Sequence, residues 1–354
     1  MINNFIESKL CTLYSLANWQ NGLAFKNITF SNSGLPIIKI AELKNGITDQ
    51  TKFTQDKFDN NVFLMKGDML FSWSGNPETS IDTFIYNLPE GWLNQHIFKV
   101  TPKNIDTKYF YYVMKSLNPV FKRIASNKQT TGLGHVTVKD LKEIEIYIPS
   151  HKEQQHIVNI LGTIDDKIEN NENLIAKINE STKLYYINFC DNGFVDDVLE
   201  NYIENYDRQR KPLSSRERDS LEKIYPYYGA TEVLDYVDNY LFDGDYLLMG
   251  EDGTVADSLG FPIVQRVNEK FWANNHTHIL KAKNGIDNNV LELILKNTNV
   301  QSIITGAVQP KINQANMNSL KIKIPNNVDI LMKTIYPYFE KRQSLIVENK
   351  NLTN

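Results

Sequence analysis

The side chains best suited to chemistry in this sequence are amides, imidazoles and guanidiniums, and they fall in loops. After Trp92 come Asn94, Gln95 and His96; after Trp272 come Asn274, Asn275, His276 and His278. Asn and Gln can make paired hydrogen bonds to an adenine edge, and Arg or Lys to guanine. The run DRQRKPLSSRER over 207–218 interleaves Arg208, Arg210, Lys211, Arg216 and Arg218 with serines. That composition suits phosphate contacts, which give affinity and register. A loop at Lys128, Gln129, Thr130, Thr131 and Gly132 has a counterpart in TGAVQPK over 305–311, which carries Gln309 and Lys311. Further candidates by position are Ser74 in the first half, and Tyr228, Gly229, Thr231, Glu251, Asp252 and Gly253 in the second. Singly, each loop reads as solvated surface. Recurrence at matching places suggests two copies of one site.

Signatures of catalysis do not accompany these loops. No G-x-x-x-x-G-K-[ST] phosphate loop occurs, and Gly132-Leu133-Gly134 lacks the third glycine and the context of a dinucleotide site. Asn76-Pro77 matches the start of an amino-methyltransferase motif, but Glu78 and Thr79 follow where an aromatic would stack on a flipped base. His276 and His278, two apart with no third partner, read as a polar loop rather than a metal pair. The expectation is a chain with no catalytic residue, metal or cofactor. Its formal net charge is −4, from 38 basic and 42 acidic residues, so attraction to nucleic acid would have to be local. Cys11 and Cys190 stand without metal or redox spacing, as in a reducing compartment. Glu7 and Lys9 interrupt the N-terminus where a signal peptide would be apolar, and no run reaches the ~18 apolar residues of a membrane span. A cytoplasmic protein without a membrane partner is expected.

The elements that position these loops occur twice. FLMKGDMLFSWSGN at 63–76 parallels YLFDGDYLLMGEDG at 240–253, with Gly67 and Gly244 177 residues apart. Trp92 and Trp272 are 180 apart, and TGLGHVTVKDLKEIEIYIP at 131–149 parallels TGAVQPKINQANMNSLKIKIP at 305–325. A near-constant separation of this size marks two tandem domains rather than a solenoid of short units. Short runs at 36–40, 68–73, 97–100, 247–249, 263–265 and 278–281 read as strands, while 108–117 and 288–297 have helical spacing. The class is α+β.

Between the copies lies a long helix. Ser150 and Glu153 make a capping box, and Ile157, Leu161, Ile164, Ile168, Ile175, Ile178 and Tyr185 then recur three and four apart. Asn171 and Thr182 fill the two polar steps, and Asn192-Gly193 is a stop signal. About 35 residues at ~1.5 Å each give roughly 50 Å of coiled-coil seam. Ile335, Phe339, Ile346, Asn349 and Leu352 repeat Ile157, Leu161, Ile168, Asn171 and Leu174 at a spacing of 178. Pro337 should start or kink that second helix, leaving it about half as long. The expected division is a recognition domain over 1–149, a helical spacer over 150–193, a second domain over 194–325 and a short second spacer over 326–354.

The whole layout resembles the specificity subunits of Type I restriction–modification systems. YPYYGATEVLDYVDNYLFDGDYLLMGEDG at 225–253, FWANNHTHIL at 271–280, and Pro149, Glu153, Gln154 and Ile157 entering the helix carry the resemblance. The first domain keeps Gly34-Leu35-Pro36-Ile37, Gly67-Asp68 and Asn94-Gln95-His96 around a divergent interior. The resemblance implies two tandem target-recognition domains separated by long helices in an antiparallel coiled coil. Each domain would read one half of a bipartite, asymmetric site in the major groove of double-stranded DNA, and the helices would set the spacer. It also implies docking of two modification subunits, which hold S-adenosylmethionine, and of restriction–translocase subunits. A different expectation, a non-DNA adaptor with two binding domains on a rod, fits the negative net charge.

Overall fold

Alternating apolar residues before each long helix form the strands expected of them, Glu145–Ile148 and Lys321–Pro325. The computed structural model describes residues 9–26, 28–129, 132–306 and 308–353. It divides into two units, one ending at Asp165 and the other beginning at Asp166.

The strands of the first unit are β1 (Lys9–Thr12), β2 (Ala17–Asn21), β3 (Leu35–Ile38), β4 (Phe53–Thr54), β5 (Phe63–Leu64), β6 (Met69–Ser72), β7 (Ser74–Gly75), β8 (Asp82–Ile85), β9 (Gly91–Leu93), β10 (Ile97–Pro102), β11 (Gly134–His135) and β12 (Glu145–Ile148). Its helices are α1 (Ile40–Asn45), α2 (Pro77–Ser80), α3 (Thr107–Ser116), α4 (Asn118–Asn127) and α5 (Val138–Glu143), and α6 (His151–Asp191) leaves it. Two four-stranded sheets run β2-β10-β6-β8 and β4-β3-β9-β5, with β3 parallel to β9. Phe71, Phe98, Phe110 and Phe121 fill the larger core, and Trp19 meets the first three edge-on.

The second unit has β13 (Phe194–Val198), β14 (Ile203–Asn205), β15 (Tyr225–Tyr228), β16 (Val233–Val237), β17 (Phe242–Gly250), β18 (Val264–Ala273), β19 (Thr277–Ala282) and β20 (Lys321–Pro325). Its further helices are α7 (Ser215–Asp219), α8 (Asn288–Lys296), α9 (Gln314–Asn318) and α10 (Val328–Thr353). One six-stranded sheet runs β14-β19-β17-β18-β15-β16, with β15 parallel to β18. The first unit has the same order cut in two. There Pro89, which has no N–H for a ladder, falls between β8 and β9, whereas β18 contains no proline and pairs with β17 and β15 at once. Among the described residues no helix is long and apolar enough to cross a membrane.

Helix α6 has two different surroundings. Ser150 and Glu153 close the capping box, and buried Gln154 accepts from the Asp106 amide and donates to the Pro149 carbonyl, each at 2.9 Å. Ile157 and Val158 pack on the core of the first unit. The seam expected to pair helices from Ile157 onward therefore starts as an ordinary amphipathic face against its own domain. From Asp166 onward α6 pairs with α10. Asn171 Nδ2 donates to Asn349 Oδ1 and Glu348 Oε2 at 2.8 Å, Arg342 donates to Asn179 Oδ1 at 3.0 Å, and the Tyr185 and Tyr338 hydroxyls lie 3.3 Å apart. Numbers fall along one helix as they rise along the other, so the pair is antiparallel. Asn171 and Asn349, equivalent in the repeat, meet each other. Pro337 lies inside α10 rather than at its start, and the helix runs 26 residues against 41 for α6, more than the half expected.

One buried carboxylate joins these helices to the sheet. Glu292 on α8 accepts from both terminal nitrogens of Arg342 on α10 at 2.9 and 2.6 Å, and from Lys296 at 2.7 Å. Arg266 on β18 lies 3.3 Å from it and makes a two-pronged pair with Asp245 on β17, both bonds 2.8 Å. Phe339 packs beneath both guanidiniums. Burial would raise the Glu292 pKa, but the Arg342 hydrogen bonds and the Lys296 charge outweigh it and hold it at about 2, against an ordinary 4.5. The resulting stabilisation is complete above pH 4.5 and is lost as pH falls toward 2. Glu292→Gln should destabilise the protein by about 3–5 kcal/mol, because Arg342 would stay buried without its counter-charge. Denaturant titrations at neutral and acid pH would measure this, and the variant should lose less stability on acidification than the parent.

Candidate nucleic-acid interface

In the second unit four loops are tied together by polar contacts. Arg210 donates to Glu251 Oε2 at 2.6 Å and to the carbonyls of Thr277 and Asn275 at 2.7 and 3.4 Å. Asp252 bonds the His276 imidazole and pairs across a β-bridge with Lys311. Trp272 Nε1 donates to the Lys211 carbonyl at 2.6 Å. Lys211, Asn275, His276, Gln309 and Lys311 are all exposed on these loops.

The corresponding loops of the first unit follow the same backbone plan. The Trp73 amide donates to the His96 carbonyl and the Val136 amide to the Trp73 carbonyl; in the second unit Glu251 stands in for Trp73, His276 for His96 and Ile312 for Val136. Ser74 pairs with His135 as Asp252 pairs with Lys311. Gly75 and Gly253 follow, with φ of 142° and 82°, values open to glycine at little cost. Asn94 and Asn274 do one job: each is buried, its side chain accepts from the amide two residues on, and its own amide donates to the strand behind, at Ile38 and Tyr228. These two asparagines shape the turn, on which His96, Asn275 and His276 are exposed and Gln95 is half-buried.

Several candidate residues are committed inside the fold. Arg218 pairs with Asp235 at 3.0 Å and lies over the Tyr227 ring, bracing α7, which carries exposed Arg216, against β16. Arg210 is similarly enclosed, so a phosphate contact through either would break existing pairs. His278 is fully buried; Nε2 donates to the Ile312 carbonyl at 2.8 Å and Nδ1 meets Asp207 at 2.6 Å. Burial would push the Asp207 carboxyl up, yet the His278 contact and the Asn205 amide hold it below its ordinary range. Among the described residues Asp207, Glu251 and His278 could together reach one metal ion. Arg210 and Lys311, 3.2 Å from Glu251, already supply positive charge there, so the group fits an ion network better than a divalent cation. His276, read with His278 as part of a polar loop rather than a metal pair, lies outside that group.

Lys128 is paired with Asp140, Ser74 is buried against His135, and Tyr228 bonds Glu269 at 3.2 Å. Gly229 is buried with the Leu234 side chain against it, and Gly132 takes a φ of 84°. Gln129, Thr231 and Arg208 are exposed, and Thr130 and Thr131 lie outside the described residues. Trp73 and His135 were not among the candidates, though the fold brings both to the site. Trp73 sits 6.0 Å from the His96 ring and 6.0 Å from the His135 ring, with its Nε1 donating to Asn21 Oδ1 at 3.1 Å. Burial, with His135 as a neighbour, keeps His96 below its ordinary pKa.

A family model described as the Type I restriction modification DNA specificity domain matches the chain twice, over 6–180 and 194–347. The chain is similar to a protein of Haemophilus influenzae named as a type I restriction enzyme specificity subunit, 35% identical over 129 residues, which are 36% of this chain and 32% of the relative. It is also similar to one of Mycoplasma genitalium named as a type I specificity subunit, 32% identical over 145 residues and 36% of each chain. The aligned segments thus span about a third of these relatives' own lengths. The crystal structure of a Type I restriction–modification S subunit from M. genitalium superposes with a TM-score of 0.50 at 18% identity, covering 100% of this chain and 94% of that one. That likeness is one of fold.

The committed and exposed cations should behave differently. Arg210→Ala should cost about 2 kcal/mol of stability by removing its bonds to Glu251 and the Thr277 carbonyl and leaving Lys311 as the lysine beside Glu251, whereas Lys211→Ala should stay within about 0.5 kcal/mol of the parent. Urea denaturation of the two variants checks this.

Proposed function

The chain belongs to the Type I restriction–modification DNA specificity family, and on that premise we propose that it is the non-catalytic subunit that reads a bipartite DNA site. Each unit reads one half-site in the major groove, and α6 with α10 fixes the distance between the halves. The observation that carries this reading is the repeated loop scaffold: one backbone plan, held by Asn94 and Asn274, presents unlike side chains in its two copies. Unlike side chains on one scaffold suit an asymmetric target. The exposed Arg208 and Lys211 supply local positive charge on a chain of net charge −4, sufficient for phosphate contacts that set register. The partners are double-stranded DNA, two modification subunits holding S-adenosylmethionine, and restriction–translocase subunits. Exposed apolar residues on the helices, including Ile160, Leu174, Leu184 and Ile346, are available to the protein partners.

Binding of the chain with its modification subunit to specific and scrambled duplexes tests the reading. Arg208→Ala and Lys211→Ala should weaken binding to both evenly and lower the salt slope by about one each. Gln95→Ala and Asn275→Ala should instead relax discrimination, each in a different half-site, by roughly 1–3 kcal/mol. Equal binding of specific and scrambled DNA by the unaltered complex would refute the reading and favour an adaptor.

A further inference from the structure

The two copies of the loop scaffold differ in chemistry at three positions that the backbone makes equivalent. Trp73, Ser74 and His135 in the first unit stand where Glu251, Asp252 and Lys311 stand in the second. The strand bonds around them are retained, so the fold does not require either set. What lies beneath follows suit: Phe98 packs on Trp73 in the first unit, while at the matching place in the second His278 is bonded to Asp207 beneath the Glu251 pairs. One platform is aromatic; the other is ionic.

We infer that Trp73 and His135 form a specificity-determining contact of the first unit, taking one base-pair edge of duplex DNA, and that Lys311 takes the equivalent contact in the second. This rests on the reading of the chain as a DNA-specificity subunit. Three rings from three separate loops, His96, Trp73 and His135, converge on one strip. The Trp73 indole N–H is occupied by Asn21 and the His135 Nδ1 by Ser74 at 2.9 Å. That leaves the His135 Nε2 for a base, with the indole face beside it for apolar contact such as a thymine methyl. Lys311 lies 3.2 Å from Glu251 but, unlike the enclosed Arg210, which keeps its own bond to that carboxylate, is about half exposed; it offers only a charged donor, the chemistry that suits the acceptors of guanine. The half-sites should therefore differ at this one step: the first read by a group that can donate or accept, the second by a cation.

The test is selection from a randomised duplex library by the complex of the full chain with its modification subunit, comparing parent, His135→Ala, His135→Lys and Lys311→Ala. His135→Ala is expected to reduce preference at a single base pair of one half-site by about fivefold or more. Lys311→Ala should do so at a single base pair of the other, and His135→Lys should change which base is preferred at the first position. Denaturation midpoints accompany each variant, so that a folding defect is seen directly, and His135→Lys keeps a second reading of the position if the alanine variant is unstable. No change at any position, or a uniform loss across all sequences with an unchanged midpoint, overturns the inference while leaving the family reading intact. If the parent complex selects no bipartite sequence, the reading beneath it fails and the inference with it.

Discussion

The structure of the second unit turns on one buried negative charge. Glu292 sits on α8, yet its carboxylate is held by Arg342 from α10 and approached by Arg266 from β18, and Arg342 reaches on to Asn179 of α6. Four elements are thereby fixed to one another through two guanidiniums and a carboxylate. A buried ion pair contributes less to net stability than its geometry suggests, because desolvation offsets much of the Coulomb gain. Its consequence is directional: the partners fit in one arrangement, since a displaced α10 would part Arg342 from its carboxylate and leave Glu292 with Lys296 and Arg266. The strands β17, β18 and β19, from which the loops hang, are thus fixed against the helix pair.

Above that anchor, the duplication separates what must be constant from what can vary. Constant features are backbone-directed: the parallel pairs β3–β9 and β15–β18, the asparagine turns at Asn94 and Asn274, the glycines at 75 and 253 and the closing pairs β1–β12 and β13–β20. Variable features are side chains pointing from those frames, aromatic about Trp73 and ionic about Glu251. On the proposed reading, two chemistries on one scaffold would serve two half-sites without a second fold, and divergence of a few positions would make the target asymmetric.

Much of this was legible in the sequence because it depends on local spacing. The capping box at Ser150, the strands before each long helix, the helices near 108–117 and 288–297, and the repeat itself are short-range or self-similar patterns. What stayed hidden depends on partners far apart along the chain. Arg210 and Arg218 look like free phosphate ligands until Glu251 and Asp235 are brought to them. Seam periodicity at Ile157 cannot say whether the facing surface is a helix or a domain core, and it was the core. Pro337 cost α10 one backbone bond without ending it, because packing of Leu331, Ile335 and Phe339 supports both sides. Trp73 and His135 carried no motif; only the meeting of three loops exposes them.

Mapping modified bases across DNA from cells that make this chain together with its modification subunit tests the central claim most directly. The account predicts one bipartite motif with two unlike half-sites and a fixed spacer, absent from cells lacking the chain. Modification without such a motif, or an unchanged pattern when the chain is deleted, would contradict it.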